Sequence, residues 1–228
     1  GEEIPRTGVK ITWEITWPSG GETTTKIEYV KKNSVPEYPE DTDDLREVTV
    51  ERTYTFDHWQ PEPTAAVADT TYTAVFNESI TQHKVTWVID AENNISEVQY
   101  FDYGTTPTYT GTPSKDPTET TVYTFTGWNP VPDEIRDARD RTYTAQYEAT
   151  TRYFTITVVR AENDSTVITG LKFGDTIDSS KFDCGVREGY TFTGWTITGE
   201  NGTTYAEIPE TMPAENLTLT AKWKSNEY

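Results

Sequence analysis

A chain of 228 residues carries 38 acidic and 19 basic side chains, a formal charge of −19. That balance excludes a nucleic-acid role, which needs Lys and Arg to neutralise phosphates, and docking onto anionic lipid; it favours solubility through self-repulsion. Apolar residues are 33%, yet aromatics reach 13% and threonine about a fifth, the composition of β structure with aromatic cores rather than of disorder.

The opening GEEIPRTG (residues 1–8) is acidic and lacks the apolar core of a signal peptide. No apolar run approaches the roughly 20 residues that span a bilayer. The expectation is a soluble intracellular protein or a piece of a longer exported one. VKITWEITW (Val9–Trp17) then puts Val9, Ile11, Trp13, Ile15 and Trp17 on one side of a strand, the period-two pattern of a sheet with one buried face. PSGG (Pro18–Gly21) suits a hairpin turn, and PEDTDDLREV (Pro39–Val48) one or two helical turns. YTFDHW (Tyr54–Trp59) and TYTAVF (Thr71–Phe76) predict two further strands, and NESITQ (Asn77–Gln82) is a short link.

The same order returns twice. HKVTWVID (His83–Asp90), YTFTGW (Tyr123–Trp128) and TYTAQY (Thr142–Tyr147) follow, then EATTR (Glu148–Arg152) as a link. Last come YFTITVVR (Tyr153–Arg160), YTFTGW again (Tyr190–Trp195) and TLTAKW (Thr218–Trp223). The hexapeptides begin 69 and 67 residues apart, so the chain divides into three units, residues 1–80, 81–150 and 151–228. In YTFTGW the tyrosine and phenylalanine share a face, two threonines take the other, and glycine turns the strand before tryptophan. TETTVYTFTGW (Thr118–Trp128) predicts one long strand. PDEIRDARD (Pro132–Asp140) predicts a helical turn, and DTIDSSKFDCGVREG (Asp175–Gly189) a short helix capped by Asp178 or Ser179. The short, Thr-rich links predict a semi-rigid row of modules.

EGYTFTGW (Glu188–Trp195) with MPAENLTLTAKW (Met212–Trp223) resembles the Listeria–Bacteroides repeat, the family that includes the B repeat of internalin B. Unit two is similar to a subtype of the same family through KVTWV (Lys84–Val88), YGTTPTYTG (Tyr103–Gly111), YTFTGWNP (Tyr123–Pro130) and TYTAQY; unit one is more divergent. The resemblance implies a mostly β (α+β) fold: three tandem β-grasp-like modules, each a curled sheet of about four strands with at most a short helix. It implies a non-enzymatic stalk or spacer of a bacterial cell-surface or secreted protein, with adhesion as a further role, and it brings no catalytic residue or cofactor. Units one and two depart from the family in lacking the glycine before the tyrosine (Thr53, Val122), and unit one has His58 at the second glycine.

Three residues are candidate binding positions. Trp13 and Trp17 have no counterpart in unit three and are the aromatics expected on the surface; Trp59, Trp128 and Trp195 recur and are expected in cores. His58 beside Asp57 is a candidate pH-sensitive or metal pair, against a tolerated replacement of glycine. The acid runs EDTDD (Glu40–Asp44) and RDARD (Arg136–Asp140) lack the glycine and late glutamate of a calcium loop and suit solvated loops. The single Cys184 excludes an intramolecular disulfide, and with His58 and His83 forms only a formal nucleophile pair. Lys10 and Lys84 on opening strands are candidates for an intramolecular crosslink that also needs a buried acid. The expected partner is a host or neighbouring surface protein or a glycan, met by a monomer with no metal, nucleic acid or membrane insertion; the alternative to a spacer is a module that binds such a partner through an exposed aromatic or acidic face.

Overall fold

The computed structural model describes residues 8–227; most of the opening octapeptide, and Tyr228, lie outside them. Among the described residues fourteen strands form three sheets. The first holds β1 (Val9–Thr16), β2 (Thr23–Val30), β3 (Arg46–Val48), β4 (Arg52–Gln60) and β5 (Thr70–Ile80) in the order β2-β1-β5-β4-β3. The second holds β6 (Gln82–Asp90), β7 (Ile95–Asp102), β8 (Thr121–Asn129) and β9 (Arg141–Thr151) in the order β7-β6-β9-β8. The third holds β10 (Phe154–Ala161), β11 (Asp164–Leu171), β12 (Tyr190–Gly199), β13 (Thr204–Tyr205) and β14 (Leu217–Ser225) in the order β11-β10-β14-β12-β13. Each sheet therefore draws its strands from one copy of the sequence repeat. By compactness the described residues fall into two units, the first running to Val88 and adding Asn94–Thr110 and Asn129–Thr144.

In every sheet the first and last long strands of the repeat lie side by side and parallel. Ile11–Glu14 pair with Thr70–Thr73, Val85–Val88 with Arg141–Thr144, and Ile156–Val159 with Leu217–Thr220. Antiparallel neighbours flank this pair on both sides in the first and third sheets, β2 and β4 in one, β11 and β12 in the other. Alternation does what the sequence predicts: Val9, Ile11, Trp13 and Ile15 are buried on β1, as are Phe154, Ile156 and Val158 on β10, and Leu217 and Leu219 on β14. The parallel pairs meet at matched core positions. Trp13 stands beside Tyr72 with rings 4.9 Å apart, Trp87 beside Tyr143 at 5.0 Å, and Val158 beside Leu219.

No α-helix forms among the described residues. The expected turns at Pro39–Val48 and Asp175–Gly189 shrink to single 3-10 turns, Thr42–Asp44 and Ser179–Lys181, whose caps Asp41 and Asp178 accept the N–H of Asp43 and Ser180 at 2.9 and 3.1 Å. Two expectations fail outright. Pro132–Asp140 makes no helical turn, because Ile135 donates its N–H to Thr105 O at 2.9 Å and its carbonyl accepts from Gly104 N at 2.8 Å. The strand expected from Thr118 starts only at Thr121, since the Thr118 hydroxyl accepts the Thr121 N–H at 3.1 Å and folds residues 118–121 into a turn.

The clip at Ile135 occurs in all three repeats. Asn33 N donates to Ala66 O and Ala66 N to Ser34 O, both at 2.8 Å; Gly174 N donates to Met212 O at 2.9 Å and Met212 N to Asp175 O at 2.8 Å. Each clip ties the connection after the first hairpin to the segment before the last strand. In each, the residue offering both groups is buried, Ala66 at 3%, Ile135 at 0% and Met212 at 0% exposure. Its partner turn begins at a left-handed residue: Asn33 (φ 70°), Gly104 (φ 83°) or Gly174 (φ 82°). This paired plug occupies the underside of the sheet where a helix would otherwise supply the second layer.

Cutting Trp87 to alanine is expected to cost about 3–5 kcal/mol of stability, because the ring is fully buried against Tyr143; denaturant unfolding of the intact chain measures it, and a cost below about 1 kcal/mol would contradict the core assignment.

Candidate functional site

The repeated hexapeptide carries a β-bulge. Register slips by one between Phe192 and Gly194 against β14, and between Phe56 and His58 against β5. A strict period of two would send tryptophan to the face opposite phenylalanine, three residues back. The extra residue resets the alternation, so both rings point the same way: Phe56–Trp59, Phe125–Trp128 and Phe192–Trp195 lie 5.2, 5.3 and 5.1 Å apart. The bulged threonine donates its hydroxyl across the strands, Thr126 to Gln146 O and Thr193 to Lys222 O, each at 3.1 Å. The glycine that follows adopts φ of 151° at Gly127 and 136° at Gly194, backbone that side chains with a Cβ rarely take.

In the first repeat Asp57 and His58 take these two places. His58 faces Val75 as Gly194 faces Lys222, and it has no positive φ. Asp57 cannot donate to a carbonyl as threonine does. It accepts instead, from the His58 ring Nδ1 at 2.8 Å and from Asn77 Nδ2 at 3.0 Å. The bond to His58, then that from Asn77, holds the Asp57 carboxyl below its usual range, and the bond to Asp57 raises the His58 imidazole. Both side chains are about half exposed. The raised His58 contributes stability fully below its unfolded pKa and loses it as pH rises through the folded value; the lowered Asp57 contributes above the unfolded carboxylate range and loses it on acidification. The pair is therefore complete between those two limits.

Trp13 does not reach the surface. It is 0% exposed, packed on Tyr38, Trp59 and Tyr72, with its Nε1 donating to Glu28 at 2.8 Å. The sequence comparison with unit three misplaced it, because there Val158 and Leu219 fill the same core positions with aliphatic side chains. Trp17 is half-buried and covers Phe76 at 5.3 Å. Its role follows from the other repeats, where Tyr147 donates to Ile89 O at 3.0 Å and Trp223 Nε1 to Arg160 O at 3.1 Å. Phe76 stands at the matching place with no polar group, and Trp17 closes that end by packing. Trp59 is buried, whereas Trp128 and Trp195 are partly so.

The remaining chemistry-bearing residues are engaged locally. Asp41 caps its turn, and Arg141, 4% exposed, bonds Asp137 Oδ1 at 3.2 Å, which makes the RDARD run an ion-paired loop. The His83 ring bonds Val50 O at 2.8 Å, and Cys184 Sγ donates to Gly185 O at 3.5 Å. Lys10 and Lys84 lie on the open side of their strands. Among the described residues no three His, Cys, Asp or Glu side chains gather as a metal-binding set. The buried acid Glu215 is a structural group: Tyr205 donates to it at 2.6 Å, which lowers the Glu215 pKa and pushes Tyr205 up to about 12. It fills the space where a Cβ on Gly199 would sit 2.2 Å from its carboxyl.

A further repeated polar geometry lies at the joints. Only Thr81 separates β5 from β6, and only Arg152 and Tyr153 separate β9 from β10. The expected links are thus strand except at Thr81 and Arg152. Thr81 N donates to Glu51 O at 3.0 Å and Arg152 N to Thr120 O at 2.8 Å, both carbonyls standing immediately before the hexapeptide strand; Asn226 N repeats this on Gly189 O at 2.8 Å. Thr81 is 7% exposed, its hydroxyl bonded to Thr49 O and Thr53 Oγ1, and its carbonyl accepts from Tyr103 N at 2.9 Å. The Arg152 guanidinium reaches Thr118 O at 3.2 Å and lies over the Phe154 ring. Beside the first joint a cleft of about 570 Å³ is lined by Arg46, Ser79, Gln82 and Asp102. Gln82 already donates to Asp102 at 3.1 Å. No residue-level signal marked Thr81 or Arg152; what could have found them is their place one residue past each closing strand.

Residues 154–222 match the family model of the Listeria-Bacteroides repeat domain. That segment is the third repeat, from β10 to β14, and bears out the resemblance where its motifs are fullest. Among solved structures, domains 3-4 of the streptococcal high identity repeats in tandem (SHIRT), from a cell surface protein, share 17% identity over 63% of this chain and 99% of that one, with a TM-score of 0.31. Nothing among the curated proteins matches.

Replacing Gly194 by alanine is expected to cost about 1–3 kcal/mol, because φ there suits glycine alone, whereas His58→Gly costs about 0.5–1 kcal/mol of backbone entropy together with the exposed bond to Asp57; thermal or denaturant unfolding distinguishes the two. An NMR titration of His58 is expected to give a pKa above its ordinary value and, in Asp57→Asn, a value displaced downward. An unmoved midpoint would refute the pair.

Proposed function

We propose that this chain is a non-enzymatic stalk or spacer segment of a bacterial cell-surface or secreted protein, built from β-grasp-like modules set in tandem. The observation that carries this reading is the joint. The closing strands of the first two repeats pass into the next opening strand through one or two residues, with the N–H of Thr81 and of Arg152 fixed to the preceding module, which suits a device that sets distance and ill suits free beads. The sheet orders, with the first and last strands parallel at the centre, support the β-grasp-like description. The family match of the third repeat supports the repeat role and, through the resemblance, an extracellular place.

Adhesion is the second reading. Burial of Trp13 removes half of the aromatic pair expected to serve it, and the surface that favours it now is the edge strand β7, where Ile95, Val98 and Tyr100 are 49%, 48% and 59% exposed. A protein or a glycan is the partner class, met by a monomer.

Small-angle scattering in solution is expected to give an elongated monomeric particle; a compact, near-spherical envelope would overturn the spacer. On arrays of glycans and host proteins, binding that disappears in Tyr100→Ser while the fold persists would place adhesion on β7, and uniformly blank arrays would leave the spacer alone.

A further inference from the structure

We infer that each repeat is a tension-bearing clamp, in which pulling on the chain loads the central parallel strand pair in shear. This rests on the spacer reading and adds to it a mechanical function. In every repeat the strand by which the chain enters and the strand by which it leaves are paired directly and run parallel. The incoming end of β1 and the outgoing end of β5 therefore lie at opposite ends of the pair. Tension drawn through the chain pulls the two strands along their common axis in opposite directions. Every hydrogen bond of the pair is then strained at once, and none can open before its neighbours. Were the same two strands antiparallel, entry and exit would lie at one end, and the bonds would open in succession.

Three further features fit this load path. The clamp strands are the central strands of their sheets, so sliding one past the other must also break a flanking ladder or drag it along. The paired positions carry the fully buried side chains, Trp13 with Tyr72, Trp87 with Tyr143, and Leu219 beside Val158; a slip of one residue would turn these out of the core. The joints are one and two residues long, with Thr81 and Arg152 fixed by backbone bonds, so tension passes from β5 to β6 and from β9 to β10 without slack. The short, pinned joints would not follow from a need to bury apolar surface alone.

Resistance to force is a matter of unfolding rate along the pulled direction, so it is tested by changing the direction while the protein stays the same. In single-molecule force spectroscopy the whole chain is held through handles at its two ends. Three ruptures are expected, each releasing about 70 residues, roughly 230–250 Å of extended chain. The third repeat is then pulled across its antiparallel β12–β14 pair, through cysteines at the facing, exposed positions Thr191 and Lys224, in a chain also carrying Cys184→Ser. There the bonds peel singly, and rupture is expected at severalfold lower force. Should those cysteines disturb the third repeat, Thr55 and Asn77, facing and exposed on β4 and β5, provide the same comparison in the first. Equal forces in the two directions would overturn the clamp. An elongated particle that ruptures end to end at peeling force would keep the spacer and reject the clamp. A compact particle with high end-to-end force would reject the spacer and keep the clamp.

Discussion

The parallel pairing of the first and last strands of each repeat governs the rest of the structure. Parallel neighbours cannot be joined by a tight turn; the chain must cross over and return from the other end. Each repeat therefore uses two irregular connections on the return journey, one before the hexapeptide strand and one after it. These connections would leave the underside of a single sheet bare. The clip that ties them together, at Ala66, Ile135 and Met212, puts one side chain under the sheet and satisfies its own backbone in the same step. A helix is not needed, and the Pro- and Thr-rich connection of the second repeat could not form a good one.

The hexapeptide answers a second demand of the same design. Its strand must pair with the closing strand and also bring two large rings to one face. Alternation forbids that at a spacing of three, and the bulge permits it. Threonine and glycine are the simplest way to build the bulge, one giving a hydroxyl to the opposite carbonyl and the other taking the unusual φ. Asp57 and His58 build it differently, by bonding each other and Asn77. The oddity of YTFDHW is thus first a second solution to a backbone problem, with a protonation equilibrium attached.

Much of this was legible beforehand because it is local or periodic. Period-two alternation identified the buried faces of the opening and closing strands, and the repeated order of motifs identified one sheet per repeat. Errors arose where one side chain's surroundings come from elsewhere in the chain. Trp13 looked unmatched beside unit three, yet its pocket is made by Tyr38, Trp59 and Tyr72, none of them near it in sequence. The turn at Thr118 was hidden within a β-prone run, because a hydroxyl outcompetes the ladder there. Sequence pattern does not mark the clips, because alanine, isoleucine and methionine share no sequence signal; what they share is a backbone position opposite a left-handed turn.

The sequence by itself determined the repeat, the strand faces, the acidic surface and the aromatic character of the cores, since each depends on composition or on spacing along one strand. Tertiary structure alone decided that entry and exit strands run parallel, that the bulge brings phenylalanine and tryptophan together, and that a single pinned residue joins the first sheet to the second. Those depend on which backbone groups meet across tens of residues. Backbone N–H and C=O are the same at every position, so sequence pattern is silent on which of them pair.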